Sequence, residues 1–218
     1  MKLKQKDFVE LEYTGKVKED SAVFDTTDEK VAKDNDIHQE SASYGPVVVC
    51  LGQKYLVEGL EDELIGKGKG TYKIEIKPEK AFGKKSAKLL KLVPIKVFKK
   101  QNIEPFPGLQ INIDGLNGTI RNVSGGRVIV DFNHPLAGRE IEYEVKVNRL
   151  VESTDEKVKA ILKLELNVGD ADVKIADKKA IVKHELPKEL ADKVKNKILA
   201  LVPDIKDIKF KKEEKTNI

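Results

Sequence analysis

The chain has 218 residues, 36% of which are charged, and it carries a formal net charge of +4. That length allows one large domain or two to three small ones. The sequence has no run of about 18 apolar residues and no apolar signal core near its N-terminus, which excludes a membrane-spanning helix and predicts a cytoplasmic protein.

The first part of the chain has the pattern of a half-buried sheet. Alternating apolar and polar residues predict strands over DFVELEYTGKV (7–17), with a bend or bulge at its glycine, and over VFDTT (23–27). Residues 28–45 are polar and aperiodic, which predicts a loop or a bulge. The apolar run VVVCLG (47–52) predicts a central strand with Cys50 buried in it, a reactive thiol being the alternative.

The next elements are a short helix and two more strands. Three leucines spaced by four residues form one face of a helix over LVEGLEDELIG (56–66). GTYKIEIKPEKAFG (70–83) alternates until its proline stops the strand, and IEYEVKVNRLVE (141–152) alternates again. These patterns predict a mostly antiparallel sheet with one short helix.

Residues 84–130 interrupt this pattern. They contain nine basic and two acidic residues, a net charge of +7, whereas the rest of the chain sums to −3. After a half broken by prolines come three alternating runs, GLQINI, LNGTIRNV and RVIVDF. Asp114-Gly115 and Gly125-Gly126 join these runs, and both pairs are hairpin signals. The pattern predicts a small β domain inserted between two strands of the larger one.

The chain changes character again after about residue 152. STDE (153–156) is a capping box, DVKIAD and AIVKHE predict two strands, and IKDIKF predicts a last strand. KAILKLELNVG either continues the first helix or starts a strand. LPKELADKVKNKILALVP (186–203) predicts the clearest helix. Its apolar face contains Leu190, Val194, Ile198 and Leu201. We expect a separate small α/β domain whose marginal core favours docking or dimerisation.

The residue types give little sign of covalent chemistry. His38, His134 and His184 are scattered, which predicts no metal site, and the chain has neither a phosphate-binding glycine loop nor a Ser or Cys nucleophile motif. We therefore expect no cofactor. DFNHPLAG (131–138) offers Asp131 and His134 as an acid/base pair. The interpretation we favour is a turn in which the residue before Pro135 is extended.

A sheet with an aromatic-lined apolar concavity can still catalyse one reaction. Rotation about an X-Pro bond breaks no covalent bond, and its barrier is the amide resonance of about 18–20 kcal/mol. The tertiary amide makes both isomers accessible. An apolar pocket that excludes water favours the twisted, less polar transition state over the planar ground state.

Five motifs carry a resemblance to a known family. They are EYTG (12–15), FDTT (24–27), LGQKYLVEGLE (51–61), KPEKAFG (77–83) and DFNHPLAG. In this order they resemble the FKBP-type peptidyl-prolyl isomerases, and more narrowly the SlyD-like, archaeal long-chain branch. That branch has an insert-in-flap chaperone domain between the AFG and NHPLAG segments, where residues 84–130 interrupt the pattern.

The resemblance implies a pocket made of eleven residues. Its walls would be Tyr13, Phe24, Val47 and Leu56. Asp25 would face the twisted amide, Val57 would offer its backbone N–H to a substrate carbonyl, and Leu60 would form the floor. Phe82 stands where many members have tyrosine and so lacks its hydroxyl. Tyr143 would pack behind the proline ring, and His134 and Leu136 would form the rim. For each aromatic residue, simple core packing is the alternative, and for Asp25 it is a local turn cap.

The resemblance also implies the fold class and the domains. The class is α+β: an FKBP-like antiparallel half-barrel sheet with one short helix, a small β domain inserted in the flap, and a C-terminal small α/β domain. The expected isomerase domain is discontinuous, 1–84 and 129–152, the insert-in-flap domain covers 85–128, and the C-terminal domain covers 153–218.

Expected partners follow from the same resemblance. They are unfolded or nascent polypeptides that contain proline, with a possible homodimer through the C-terminal domain and no membrane. A nucleic-acid or ribosome-binding insert is the competing interpretation of the +7 charge. It is not favoured, because arginine is nearly absent from the insert and only Phe98 and Phe106 could stack on bases. The third interpretation is that the protein is a chaperone whose isomerase pocket is vestigial.

Overall fold

The computed structural model describes residues 2–113, 115–168 and 172–211. The chain forms two compact units, which we call the main unit (residues 1–76 and 141–218) and the insert unit (residues 77–140). The finer division into three domains remains a prediction. Within the described residues, no helix is long and apolar enough to cross a bilayer.

Twelve strands and five helices are assigned within the described residues. The strands are β1 (Phe8–Val17), β2 (Val23–Thr26), β3 (Val47–Cys50), β4 (Gly70–Ile76), β5 (Leu90–Pro94), β6 (Gln110–Ile113), β7 (Leu116–Ser124), β8 (Arg127–Asp131), β9 (Ile141–Leu150), β10 (Val173–Ala176), β11 (Lys179–Lys183) and β12 (Asp207–Lys211). The helices are α1 (Glu29–Asp34), α2 (Glu58–Leu64), α3 (Ile95–Lys100), α4 (Thr154–Leu166) and α5 (Lys188–Leu201).

The central sheet of the main unit is antiparallel, with strand order β2-β1-β9-β4. The predicted alternation is confirmed, because residues of β9 at every second position from Ile141 to Val147 are buried. The predicted irregularity at Gly15 is also present, as a register shift between Gly15 and Lys16 in the β1–β2 pair. Because Ile76 pairs with Ile141, the chain leaves this sheet and returns to it at adjacent strand ends.

Two expectations for residues 28–52 are wrong. The segment predicted as a loop contains α1, which begins because the Asp28 carboxylate caps the N–H groups of Lys30 and Val31. The run predicted as a central strand is β3, which pairs only with β1 among the described strands. Helix α4 packs against β3. This contact explains why the sequence of β3 is apolar although the strand has a neighbouring strand on one side only.

The insert unit contains the predicted small β sheet, with strand order β5-β8-β7-β6. Its core is Phe98, Ile120, Val128 and Val130. The Gly125-Gly126 turn joins β7 to β8 with positive φ at both residues, 56° and 74°, as a type I′ hairpin requires. Asp114, half of the other predicted turn, lies outside the described residues.

The C-terminal segment contains the predicted α/β elements. The Ser153 hydroxyl accepts the N–H of Glu156 and caps α4. The segment KAILKLELNVG continues this helix to Leu166, and Asn167, in the left-handed conformation, ends it. Strand β11, helix α5 and strand β12 form a crossover between parallel strands. The apolar face of α5 is buried in this segment's core at Val194, Ile198 and Leu201, whereas Leu190 is exposed.

Candidate functional site

Three aromatic rings meet on one face of the main sheet. The register places Gly15 of β1 opposite Tyr143 of β9. The Tyr143 ring contacts the rings of Tyr13 and Phe24 edge to face, each with a centroid distance of 5.7 Å. A Cβ on residue 15 would lie 2.7 Å from Tyr143 Cε1 and 2.8 Å from Phe24 Cζ. The glycine therefore gives the rings the space they occupy.

Four of the predicted pocket residues, Tyr13, Phe24, Asp25 and Val47, line one cavity of about 260 Å³. Its remaining walls come from Thr26 and Thr27, from the segment after β2, and from one residue of helix α4. These last residues are Ala32, Ile37, Gln39, Ala42, Ser43, Tyr44, Gly45 and Lys163. The segment 28–45 and α4 thus contribute to the site, which the sequence alone did not indicate.

Asp25 places a half-buried carboxylate in the wall of this cavity. Burial raises the pKa of the Asp25 carboxyl above its usual value, and hydrogen bonds from the Tyr13 hydroxyl and the Thr26 N–H partly oppose that rise. Burial also raises the pKa of the Tyr13 and Tyr143 hydroxyls, and the nearby Asp25 carboxylate adds to the effect. Both phenols therefore stay protonated and are able to donate hydrogen bonds.

Leu56, Val57 and Leu60 lie at the start of α2. Leu60 is fully buried, whereas Leu56 and Val57 are half-buried. Val57 is the N-cap residue of α2, and within the described part of the chain no hydrogen bond is assigned to its N–H. An N–H group without an assigned partner at a helix start is suited to donate a hydrogen bond to a carbonyl oxygen from outside the protein.

Glu61 fixes the backbone that carries these residues, a function that the sequence analysis missed. Its carboxylate is buried and accepts four backbone N–H groups: Oε2 from Gly52 and Lys54, and Oε1 from Tyr55 and Leu56, at distances of 3.0 to 3.3 Å. We call residues 52–57 the α2 entry loop. The only sequence signal was an acidic residue on the otherwise apolar side of α2, one position after Leu60.

Phe82, His134 and Leu136 lie in the insert unit. The rings of Phe82 and His134 stack in parallel, with a centroid distance of 4.5 Å and an interplanar angle of 1°. His134 Nδ1 accepts the N–H of Leu136, which fixes the orientation of the imidazole. The predicted eleven residues are thus divided between the two units.

The carboxylate of Asp131 stabilises the turn formed by residues 131–138. It binds the guanidinium of Arg121 and both the backbone N–H and the side-chain amide of Asn133. The Asn133 side chain in turn holds the backbone of Ser86 by two further hydrogen bonds. Burial opposes ionisation of Asp131, but these hydrogen bonds outweigh it and lower its pKa. The geometry favours a turn that ties two chain segments together over an acid/base pair with His134.

No group of three or more His, Cys, Asp or Glu side chains able to hold a metal is found among the residues that the structure describes. What the main unit offers is an aromatic cavity, one desolvated carboxylate, two phenolic donors and one free backbone N–H. An arrangement of this kind is able to bind an apolar ring next to a carbonyl without a covalent intermediate.

Comparison with known proteins identifies the family. Residues 1–99 match the family model of the FKBP-type peptidyl-prolyl cis-trans isomerase, and residues 91–136 match that of the FKBP26 IF domain. The chain is 36% identical over 146 residues to the short-type peptidyl-prolyl cis-trans isomerase of Methanocaldococcus jannaschii, covering 66% of this chain and 92% of that protein. The chain belongs to the FKBP-type peptidyl-prolyl cis-trans isomerase family.

Two bacterial relatives agree with this assignment. The FKBP-type 16 kDa isomerase of Escherichia coli K12 is 36% identical over 110 residues, covering 47% of this chain and 72% of that protein. The SlyD isomerase of Aeromonas hydrophila is 32% identical over 161 residues, covering 72% of this chain and 69% of that protein. The predicted resemblance, the α+β class and the enzyme class are confirmed: this FKBP is a peptidyl-prolyl cis-trans isomerase with SlyD-like relatives.

Proposed function

We propose that this FKBP accelerates X-Pro isomerisation in unfolded or nascent polypeptides by non-covalent stabilisation of the twisted amide. The observation that supports the proposal is the cavity whose wall combines Tyr13, Phe24 and Asp25. The planar amide is stabilised by resonance and by hydration, and both are lost at the twisted geometry. A site without bulk water removes the hydration advantage of the ground state before rotation begins.

The eight predicted residues that lie in the main unit have complementary roles in this proposal. The proline ring enters against Phe24 and Tyr143, with Val47, Leu56 and Leu60 as apolar wall and floor. The Val57 N–H holds a substrate carbonyl, and the Tyr13–Asp25 pair faces the rotating amide. The rim roles expected for Phe82, His134 and Leu136, which belong to the insert unit, stay a prediction.

The insert unit has the surface expected of a binder of unfolded chains. Six of the seven exposed large apolar side chains in the described structure belong to it: Leu89, Leu90, Leu92, Val97, Phe106 and Leu116, each 38% to 62% exposed. Strands β5 and β6 are the outer strands of its sheet, so extended segments can pair with either edge. We propose that the insert captures unfolded polypeptide and supplies its prolines to the cavity.

A nucleic-acid partner for the insert is less well supported. Of the two aromatic residues expected to stack on bases, Phe98 is part of the core and only 2% exposed. Phe106 remains exposed, but a single ring provides no stacking platform for successive bases.

A homodimer through the C-terminal segment would need a surface other than the one first considered. The apolar face of α5 is covered by its own sheet, apart from Leu190. Strands β10 and β12 are the outer strands of that sheet and are the remaining candidates for pairing with a second copy.

Replacing Phe24 with alanine in the full chain tests the catalytic proposal. The substitution removes one wall of the cavity, so we expect kcat/KM for a short peptide with one X-Pro bond to fall about tenfold or more. Refolding of a protein whose slow phase is a proline isomerisation should lose its acceleration equally. Wild-type rates in both assays would contradict the pocket assignment.

The double substitution Leu90→Asn/Leu92→Asn tests the insert. It removes exposed apolar surface from β5, so we expect kcat/KM for the short peptide to stay unchanged. The rate enhancement in protein refolding should fall about tenfold. Leu190→Asn, which removes an exposed leucine outside the insert, is the matched control and should leave both rates unchanged. Wild-type refolding activity in the double variant would contradict the proposed role of the insert.

A further inference from the structure

Helix α4 of the C-terminal segment reaches the loops around the catalytic cavity. The core of this segment is continuous with the main sheet, because Phe8 of β1 and Cys50 of β3 belong to the same hydrophobic cluster as Ile161 and Ile198. Tyr55 of the α2 entry loop packs against that cluster. The segment is therefore fixed to the pocket side of the main unit by ordinary core packing.

Tyr55 is the strongest link between this segment and the site. Its hydroxyl donates a hydrogen bond of 2.9 Å to Glu165 Oε1 on α4. Lys197 of α5 binds the same oxygen, and its Nζ lies over the Tyr55 ring, 4.6 Å from the centroid. The three side chains form a closed triangle in which each contacts the other two.

The triangle is better shielded from water than the surface ion pairs. The side chains of Lys197 and Glu165 are 27% and 18% exposed. Burial opposes ionisation of Glu165, yet the hydrogen bonds from Lys197 and Tyr55 outweigh it and lower its pKa. Burial, together with Glu165, raises the pKa of Tyr55 to about 12. At neutral pH the triangle therefore consists of a phenol, a carboxylate and an ammonium.

Tyr55 directly precedes the residues that we assign to substrate binding. Leu56 and Val57 follow it in the chain, and the Tyr55 N–H is one of the four that Glu61 holds. The α2 entry loop is thus fixed twice: Glu61 binds its backbone from α2, and Glu165 binds its one aromatic side chain from α4. The second attachment limits rotation of the loop about the first.

A second link joins α4 to the other side of the cavity. Lys163, two residues before Glu165, donates to the hydroxyl of Ser43 at 2.9 Å. Both residues line the cavity together with Tyr13 and Asp25. Helix α4 therefore contacts a wall of the cavity through Lys163 and the α2 entry loop through Glu165.

We propose that Glu165, with Lys163 and Lys197, positions the α2 entry loop and the loop of Ser43 relative to each other, so that the C-terminal segment is part of the isomerase site. The proposal rests on the pocket assigned above. These are positioning residues: they contact Tyr55 and Ser43, and through them they set the distance between the Val57 N–H and the wall formed by Tyr13 and Asp25. Small displacements of such groups are costly in rate, because the transition state tolerates less misalignment than the bound substrate.

The test compares Glu165→Ala, Glu165→Gln and Tyr55→Phe in the full chain, with a short peptide containing one X-Pro bond as substrate. We expect kcat/KM to fall about threefold to tenfold in Glu165→Ala and in Tyr55→Phe. Glutamine still offers an oxygen to the Tyr55 hydroxyl, so Glu165→Gln should recover most of the activity. The double variant Tyr55→Phe/Glu165→Ala should lose no more than either single variant, because both remove one shared contact.

Asp207→Ala is the matched control. It removes another carboxylate–lysine pair of the C-terminal segment, Lys195–Asp207 at 2.7 Å, that contacts neither loop. It should lower the melting temperature about as much as Glu165→Ala while leaving kcat/KM unchanged. The backbone amide NMR signals of Leu56 and Val57 should shift in Glu165→Ala and stay in place in Asp207→Ala.

The outcomes separate this proposal from the one it rests on. Full activity and unmoved Leu56 and Val57 signals in Glu165→Ala, with Phe24→Ala inactive, would overturn the positioning role and keep the pocket. Equal loss of activity in Asp207→Ala would also overturn it, because the effect would then be general destabilisation. Full activity in Phe24→Ala would instead overturn the pocket.

Discussion

Replacing Glu61 with alanine is expected to lower the free energy of unfolding by about 3 kcal/mol or more. Its carboxylate is the acceptor for the N–H groups of Gly52, Lys54, Tyr55 and Leu56. Alanine leaves these donors without an acceptor at a buried position, and each unsatisfied group costs its own desolvation. Urea unfolding of the purified variant measures the loss directly.

Two further variants make the Glu61 result interpretable. Glu63→Ala removes a carboxylate of the same helix whose side chain is 59% exposed and 3.8 Å from its lysine partner, so we expect a change within about 0.5 kcal/mol. Glu61→Gln keeps the shape of the side chain but turns an NH₂ group toward N–H donors, so it should lose nearly as much stability as alanine. A Glu61→Ala variant as stable as Glu63→Ala would show that water replaces the carboxylate at no cost.

The sheet and the insert could be predicted from the sequence because their signals are local. The alternation of apolar and polar residues along β1 and β9 indicates that each strand has one buried face, and Gly125-Gly126 indicates a hairpin. Neither prediction depends on residues elsewhere in the chain. The wrong expectation for β3 has the opposite cause. A strand covered by a helix from a distant part of the chain has the same apolar sequence as a strand between two others.

The candidate site was predictable only where the residues carry family motifs. Tyr13, Phe24, Asp25 and Val47 do line one cavity. Lys163 and Glu165, which contact the cavity wall and the α2 entry loop, lie over a hundred residues further along the chain. Their sequence pattern is typical of the exposed side of a helix. A charged residue on a helix is normally solvated, so its sequence gives no sign that it binds a distant loop. Such contacts depend on how α4 packs against β3, which local patterns do not encode.

Replacing Gly15 with valine is expected to reduce kcat/KM by about a hundredfold. Even a Cβ at this position would lie 2.7 Å from Tyr143 Cε1 and 2.8 Å from Phe24 Cζ, and a valine adds two methyl groups beyond it. The two rings must move away from residue 15, which displaces Phe24 from its place in the cavity wall. Assay with the short X-Pro peptide, below the melting temperature of the variant, measures the loss.

The matched control for this prediction is Gly118→Val in the insert unit. A Cβ there would lie 2.7 Å from Val130 Cγ1 and 2.8 Å from Phe132 Cδ1, so the same substitution creates the same degree of overlap in a different core. We expect both variants to lose about 1–3 kcal/mol of stability, as overpacked cores do. Only Gly15→Val should lose peptide isomerisation, because only its overlap displaces Phe24 and Tyr143. If the two variants lost activity equally, the loss would report general destabilisation, and the close approach of the rings to Gly15 would have no specific part in catalysis.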